Sequence, residues 1–259
     1  MSVLQWASLQ VEQMVWSLLA LTVGLAHADK GSWQRVLDTY RGDDGRMDYA
    51  LIKRDDAVAP TMEWLATAEV PSDRDAKVAF WINAYNAVTV DLVASNMPLK
   101  SIRDLDEGQV WKTRSFPVGG ATLTLDQIEH EILIPLGEPR VHFALNCAAM
   151  SCPPLRAQVY SGEGLSEQLD AASKSWIRAT GVRVNRASKT LHLSRIFDWY
   201  AEDFLAVTGA PVPGIEPRLQ GVLRYVSQHV VDADREWLKA GGYAVSFSAY
   251  DWEINAKSP

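Results

Sequence analysis

Cysteine is scarce in this chain of 259 residues, which contains only Cys147 and Cys152. Both lie in one short stretch, RVHFALNCAAMSCPPL at 140–155, so any thiol or disulfide chemistry is confined to it. The spacing Cys-x4-Cys, without a second close pair of ligands, is not a recognised zinc pattern. It therefore disfavours a zinc site, although two His, two Cys and a Glu would suit that metal chemically.

Runs of basic residues are also absent, and so are linkers between domains. Arg and Lys are scattered and the formal net charge is -7, which argues against nucleic acid as a partner. The apolar stretch from Val15 to Ala26 is shorter than the about 20 residues that a membrane-spanning helix needs. No segment rich in Pro, Gly or Ser divides the rest of the chain, and no internal repeat is present, so we expect a single globular domain over 29–259.

Positive charge is missing from residues 1–28, although signal peptides usually begin with it. The apolar stretch nevertheless ends in Ala-His-Ala at 26–28, a small-residue cleavage pattern that predicts a signal peptide over 1–28. A true start at Met14 would explain the missing charge, and a buried amphipathic N-terminal helix is the alternative. We expect a periplasmic or secreted protein, with no membrane span in the mature chain.

Hydrophobic periodicity predicts helices interspersed with short, often antiparallel strands. Paired glycines at 119–120 predict a hairpin turn, and Asp126 is predicted to cap a helix. The predicted elements are helices at 31–41, 75–95, 126–136, 162–177, 197–207 and 216–230, hairpins at 116–125 and 182–194, and a strand at 244–255. Without a regular strand-helix-strand rhythm, the pattern indicates an α+β domain. We expect a mixed or antiparallel sheet with several packed helices, of which a papain- or transglutaminase-like fold is one version.

The cysteine stretch itself predicts a strand followed by a structured turn. Apolar residues at 141, 143 and 145 alternate with 142, 144 and 146, which would place Cys147 on the apolar side. Because proline suits the first turn of a helix, Pro153 predicts Cys152 at a helix N-cap, where a thiol is more reactive. In an oxidising compartment the two cysteines could instead form a disulfide, and the spacing permits both outcomes.

Five ordered motifs resemble the domain of unknown function 547 family. They are FWINAYN at 80–86, LDQIEHEIL at 125–133, the stretch at 140–155, FDWYAEDF at 197–204 and YDWEIN at 250–255. The resemblance runs from about Gly45 to Asn255. It implies a domain type that occurs in exported bacterial proteins and, fused to other modules, in plants, and it implies no agreed activity.

Several polar residues are hard to explain as surface residues. Together they predict a cleft centred on the cysteines. A cysteine nucleophile needs a neighbouring base and a third group that orients the base. Cys147 or Cys152 would be the nucleophile. His130 or His142 would be the base, and Glu129 is a candidate for the orienting group. Such a site would suit thiol-dependent acyl transfer or amide hydrolysis on cell-envelope material.

Candidate binding residues lie on the predicted helix at 75–95 and near the cysteines. Asn83 and Asn86 are three apart and share a face, so they either line a pocket beside the cysteine stretch or tie down a loop. Trp81, Tyr85 and Asn146 complete the set.

A non-catalytic module is the alternative function. It would bind a peptide, a glycan or a small thiol such as glutathione. A structural Cys147–Cys152 disulfide would then stabilise the loop between the two cysteines. Aromatic side chains would line the groove, namely Trp81, Tyr85, Trp111, Trp199 and Trp252. His142 would then be a hydrogen-bonded structural residue. The sequence predicts no cofactor under either hypothesis.

Overall fold

The computed structural model describes residues 30–257 of the chain. The predicted signal peptide at 1–28 and the alternative start at Met14 lie outside the described residues. Within 30–257, no helix is both long enough and apolar enough to cross a bilayer.

Helices and two small sheets build a single α+β domain, which confirms the predicted fold class. The α-helices are α1 (Lys30–Tyr40), α2 (Tyr49–Asp55), α3 (Ala59–Thr67), α4 (Arg74–Asn96), α5 (Val110–Thr113), α6 (Leu165–Trp176), α7 (Ile196–Trp199), α8 (Gln220–His229) and α9 (Asp232–Ala240). Short 3-10 helices lie at Ile102–Asp104, Asp106–Gly108, Ile134–Leu136, Pro139–Phe143, Ala201–Phe204 and Pro217–Leu219. Two π-helices cover Gln127–Leu133 and Ile177–Gly181. The papain- or transglutaminase-like version of this fold class stays a prediction.

Five strands form the two sheets. They are β1 (Ser115–Val118), β2 (Ala121–Thr124), β3 (Val182–Asn185), β4 (Thr190–Leu193) and β5 (Ala244–Phe247). β1 and β2 form the predicted hairpin, and Gly119 and Gly120 adopt the positive φ angles that its turn requires. β3 and β4 form the second predicted hairpin, and β5 adds to β4 in parallel. The strand predicted at 244–255 ends at Phe247, because residues 248–257 form only isolated bridges.

α4 is the central helix, and it begins where the sequence supplies a cap. The Asp73 side chain accepts a hydrogen bond of 2.9 Å from the Ala76 N–H, which satisfies one of the unpaired donors of the first turn. Most of the following residues are buried, and the helix packs against α2, α3 and the π-helix at Gln127–Leu133. Burial on several sides fixes the position of this helix relative to the residues of the site.

The predicted strand in the cysteine stretch is wrong. Pro139–Phe143 is a 3-10 helix, and the chain beyond it runs as turns and irregular backbone. Val141 and Leu145 belong to the hydrophobic cluster around α1–α4, whereas Phe143 belongs to a second cluster around α7–α9 and the three-stranded sheet. The alternation therefore reflects a segment that lies between two cores, and not one face of a sheet.

Other local predictions also need correction. Residues 147–164 contain no helix, so Cys152 lies in a turn and not at an N-cap. Asp126 has helical backbone angles and its side chain makes no capping hydrogen bond, because the helical turn already begins at Leu125. The predicted helix at 197–207 is instead α7 followed by the 3-10 helix at Ala201–Phe204.

Candidate functional site

Buried asparagines hold the loop that carries the two cysteines. The Asn86 amide of α4 donates to the Ala144 carbonyl and accepts from the Asn146 N–H, both at 2.9 Å. Asn146 in turn donates to the Pro153 carbonyl at 2.7 Å and accepts from the Ala148 N–H at 2.9 Å. Each amide thus pairs backbone groups that no strand or helix satisfies, which a buried loop requires.

The C-terminal segment closes the same loop from the other side. The Asn255 amide donates to the Asn146 side chain at 3.2 Å and accepts from the Tyr49 hydroxyl at 2.7 Å. Ala149 and Ile254 form an antiparallel bridge. Ala148 is fully buried with a φ of 60°, a left-handed conformation that is costly for a residue with a side chain. The loop is therefore held in a strained shape by contacts from several distant segments.

The two cysteines form a disulfide, with 6.1 Å between their Cα atoms. Cys152 is buried and Cys147 is half-buried. The Cys147 N–H points to the Cys152 sulfur at 2.8 Å, and the Cys147 sulfur lies 3.3 Å from the Tyr250 hydroxyl. No free cysteine occurs in the described part of the chain. The disulfide alternative considered from the sequence is thus the state present in the structure.

The disulfide forms part of the wall of a cavity of about 420 Å³. This volume falls within the range of small-molecule sites. Aromatic rings dominate the lining, namely Tyr85, Trp111, Trp199, Tyr200, Tyr250 and Trp252. The rings of Trp199, Tyr250 and Trp252 pack together with centroid distances of 4.6–5.9 Å. Trp199 is 48% exposed, so one side of this aromatic wall remains open to solvent.

Glu129 is the buried carboxylate of the cavity. It lies on the π-helix at Gln127–Leu133, is only 9% exposed, and accepts a hydrogen bond of 2.6 Å from the Tyr200 hydroxyl. Tyr85 lines the same cavity and is close enough to Glu129 for its hydroxyl to be affected by the carboxylate charge. Burial, reinforced by the charge of Glu129, raises the pKa of both tyrosines, so their hydroxyls stay protonated and Tyr200 acts as the donor to Glu129.

His142 is the buried imidazole of the cavity, and a carboxylate orients it. Its Nε2 lies 2.7 Å from Oδ2 of Asp203, on the 3-10 helix at Ala201–Phe204. The ring also stacks on Tyr200 with 3.8 Å between centroids. The other ring nitrogen, Nδ1, is buried and has no hydrogen-bond partner among residues 30–257. A histidine with one nitrogen fixed by a carboxylate and the other free has the arrangement of an oriented base.

His130 lies at the rim of the same cavity. Its side chain is 47% exposed, and Nδ1 lies 3.2 Å from the Asp126 carbonyl and 3.5 Å from the Asp126 carboxylate. Its carboxylate neighbour is therefore Asp126, one turn earlier, and not Glu129 or Glu131. This exposed pair is less constrained than His142 and Asp203.

Four of the candidate binding residues do not line the cavity. Asn83 pairs with both backbone groups of Tyr160, at 2.8 and 3.0 Å. Asn86 and Asn146 hold the cysteine loop as described above. Trp81 is buried and packs edge-on against Phe80. Tyr85 is the member of the set that reaches the cavity.

Three residues of the site were missing from the candidates that the sequence suggested. They are Asp203, Tyr200 and Tyr250. All three lie within the motifs FDWYAEDF and YDWEIN, where aromatic and acidic residues alternate closely. Those motifs were the available signal, although the sequence does not show that Asp203 meets His142 across 61 positions.

The arrangement combines a sulfur pair, an oriented imidazole and a buried carboxylate in one aromatic cavity. Within residues 30–257, no group of three or more His, Cys, Asp or Glu side chains has the geometry to hold a metal ion.

Comparison with known proteins agrees with the motifs. Residues 71–177 match the family model described as protein of unknown function, DUF547. No curated protein and no solved structure matches the chain. The matched span includes α4, Glu129, His142 and both cysteines, so residues 71–177 of this chain carry a DUF547 domain.

Proposed function

We propose that this protein is a thiol-dependent acyltransferase or amide hydrolase whose resting form is the Cys147–Cys152 disulfide. The observation that carries the proposal is the 2.7 Å contact between His142 and Asp203, with His142 Nδ1 unpartnered, in the cavity that both cysteines line. A buried imidazole with one free nitrogen, in the same cavity as a potential nucleophile, supplies the groups that cysteine catalysis needs.

Reduction of the disulfide by an external thiol would open the site. Two electrons from the reductant break the S–S bond and leave two thiols. Cys147 is the better nucleophile, because it is more exposed than Cys152 and its sulfur faces Tyr250. Its proton passes to His142 Nδ1, the thiolate attacks an amide carbon, and the amine leaves with the proton from His142. Water or a second amine then releases the acyl group from sulfur.

An exported location would account for the disulfide in the resting state. Disulfides persist in oxidising compartments, and the apolar stretch ending at 26–28 would direct the chain there. We propose a periplasmic or secreted location and cell-envelope amides as the substrates. The mass of the exported chain tests this location, since cleavage before Asp29 would give a defined shorter product.

Cysteine labelling tests the catalytic proposal. The folded chain is treated with dithiothreitol, the reductant is removed, and the rate of iodoacetamide labelling is measured at neutral pH by mass spectrometry. We expect no labelling of the oxidised chain, rapid labelling of one cysteine after reduction, and slowing of at least about tenfold in His142→Ala. His192→Ala is the matched control, because His192 lies on β4 away from the cavity. Equal rates in wild type and His142→Ala would contradict the proposal.

A non-catalytic binding module is the second candidate, and the disulfide favours it. With both sulfurs bonded, the cavity still offers six aromatic rings and a carboxylate to a peptide, glycan or small-molecule ligand. Under this hypothesis the reduced cysteines label at the rate of ordinary thiols and His142→Ala has no effect. The same labelling experiment therefore separates the two candidates.

A further inference from the structure

We propose that the cavity recognises a cationic ammonium group, preferably an alkylated one, on its ligand. The inference deepens the proposed function, since it names the ligand chemistry of the same cleft, but it does not depend on the cysteine chemistry. It rests on two observations, a wall of aromatic faces and a buried carboxylate that has no cationic partner.

The aromatic wall is suited to a cation. The faces of Trp and Tyr rings carry negative electrostatic potential and attract ammonium groups within about 6 Å of the ring centre. Trp199, Trp252 and Tyr250 pack against one another at one side of the cavity, and Trp111 packs against Trp252 at 6.0 Å. Arg103 already lies 5.2 Å from the ring centre of Trp252, although Arg103 does not line the cavity.

Glu129 supplies the negative charge. The residue is only 9% exposed, and its carboxylate accepts a hydrogen bond from the Tyr200 hydroxyl. Within residues 30–257 it forms no ion pair with a Lys, Arg or His side chain. A neutral donor leaves a carboxylate's charge uncompensated, and a buried charge normally has an ionic partner. A ligand cation would supply that partner.

The basic side chains that line the cavity do not serve as the cationic partner of Glu129. Lys112 lies 3.8 Å from Asp126, and His130 contacts the same Asp126. His142 is engaged by Asp203. Each basic side chain on the wall therefore lies beside a carboxylate other than Glu129, with Asp126 shared by Lys112 and His130, and Glu129 is left to the ligand.

A pair of isosteric probes tests the inference. Choline and 3,3-dimethylbutan-1-ol have nearly the same shape, and only choline carries a charge. Binding of each to the oxidised chain is measured by tryptophan fluorescence and by calorimetry. We expect choline to bind at least about tenfold more tightly than the neutral alcohol. Equal affinities, tighter binding of the alcohol, or binding of neither probe would overturn the inference.

Two cavity variants test which residues cause the preference for choline. Glu129→Gln keeps an acceptor for the Tyr200 hydroxyl and removes the charge, so we expect it to abolish the preference for choline. Glu163→Gln, at an exposed position outside the cavity, is the matched control. Because Glu129 is buried, Trp199→Leu provides a second variant at an exposed position, and we expect it to weaken choline binding several-fold. Unchanged choline binding in both cavity variants would also contradict the inference.

Failure of the ammonium site can be distinguished from failure of the proposed thiol chemistry. Loss of the choline preference with His142-dependent labelling intact would remove only the ammonium site. Choline selectivity together with ordinary, His142-independent labelling would remove only the thiol chemistry and leave a binding module.

Discussion

At the scale of single residues, the site depends on side chains whose partners are far apart in sequence. His142 was a candidate from the sequence because it lies beside the cysteines, but its partner Asp203 is 61 positions away. Glu129 was a candidate as well, whereas its hydrogen-bond partner Tyr200 was not. Residue type and local spacing therefore identified one member of each pair, and only the folded chain identifies the other.

Asn146 gives a prediction at this scale, because one buried side chain satisfies several backbone groups. Asn146→Ala would leave the Pro153 carbonyl and the Ala148 N–H without partners. Each unsatisfied buried group costs about 1–3 kcal/mol, so we expect the free energy of unfolding to fall by about 3 kcal/mol. Urea unfolding followed by circular dichroism measures it.

A matched asparagine serves as the control for this variant. The side chain of Asn185 accepts a single bond of 3.2 Å from the Ser188 N–H in an exposed hairpin. Asn185→Ala is expected to cost less than about 1 kcal/mol. If Asn146→Ala were no more destabilising than Asn185→Ala, the cysteine loop would not depend on these amides.

At the scale of elements, the regular helices and hairpins could be predicted and the segments of the site could not. The long, mostly apolar segment of α4 predicts a buried helix, and the glycine pair between β1 and β2 predicts their hairpin turn. The segment Pro139–Phe143 alternates like a strand because it lies between two hydrophobic clusters. Its conformation follows from tertiary contacts that a local pattern does not contain.

α8 packs closely against the segment that carries Asp203, and this contact gives a prediction at the scale of elements. A Cβ added at Gly221 would collide with the Phe204 carbonyl, next to Asp203. Gly221→Ala gains about 1 kcal/mol of helix propensity, but overpacking of a rigid backbone contact costs about 1–3 kcal/mol or more. We therefore expect a net loss of stability in urea unfolding.

Labelling supplies a second readout for the same variant. Displacement of Asp203 should also slow the His142-dependent labelling of the reduced chain. Gly164→Ala is the control, since the nearest atom to its added Cβ would be the Ser161 hydroxyl at an ordinary 3.5 Å. A Gly221→Ala chain as stable and as reactive as wild type would show that this close approach is not needed.

At the scale of the whole molecule, the α+β class could be predicted and the cavity could be predicted only in part. The absence of a strand-helix rhythm indicated the class correctly. The sequence also placed Tyr85, Trp111, Trp199 and Trp252 in an aromatic groove, and all four line the cavity. Trp81 does not, because its position on α4 directs it into the core. Helical spacing identifies a buried stripe, but it does not tell which part of that stripe faces a cavity.

The central claim is that His142 and Asp203 activate a cysteine of the reduced chain, and the pH dependence of labelling tests it most directly. The iodoacetamide rate of the reduced chain is measured between about pH 5 and 10, in wild type and in Asp203→Asn. An ordinary thiol ionises near pH 8.5. We predict a wild-type midpoint clearly below that value and a shift toward it in Asp203→Asn, where the imidazole loses its orienting carboxylate. A wild-type midpoint near 8.5 that does not move in Asp203→Asn would contradict the account.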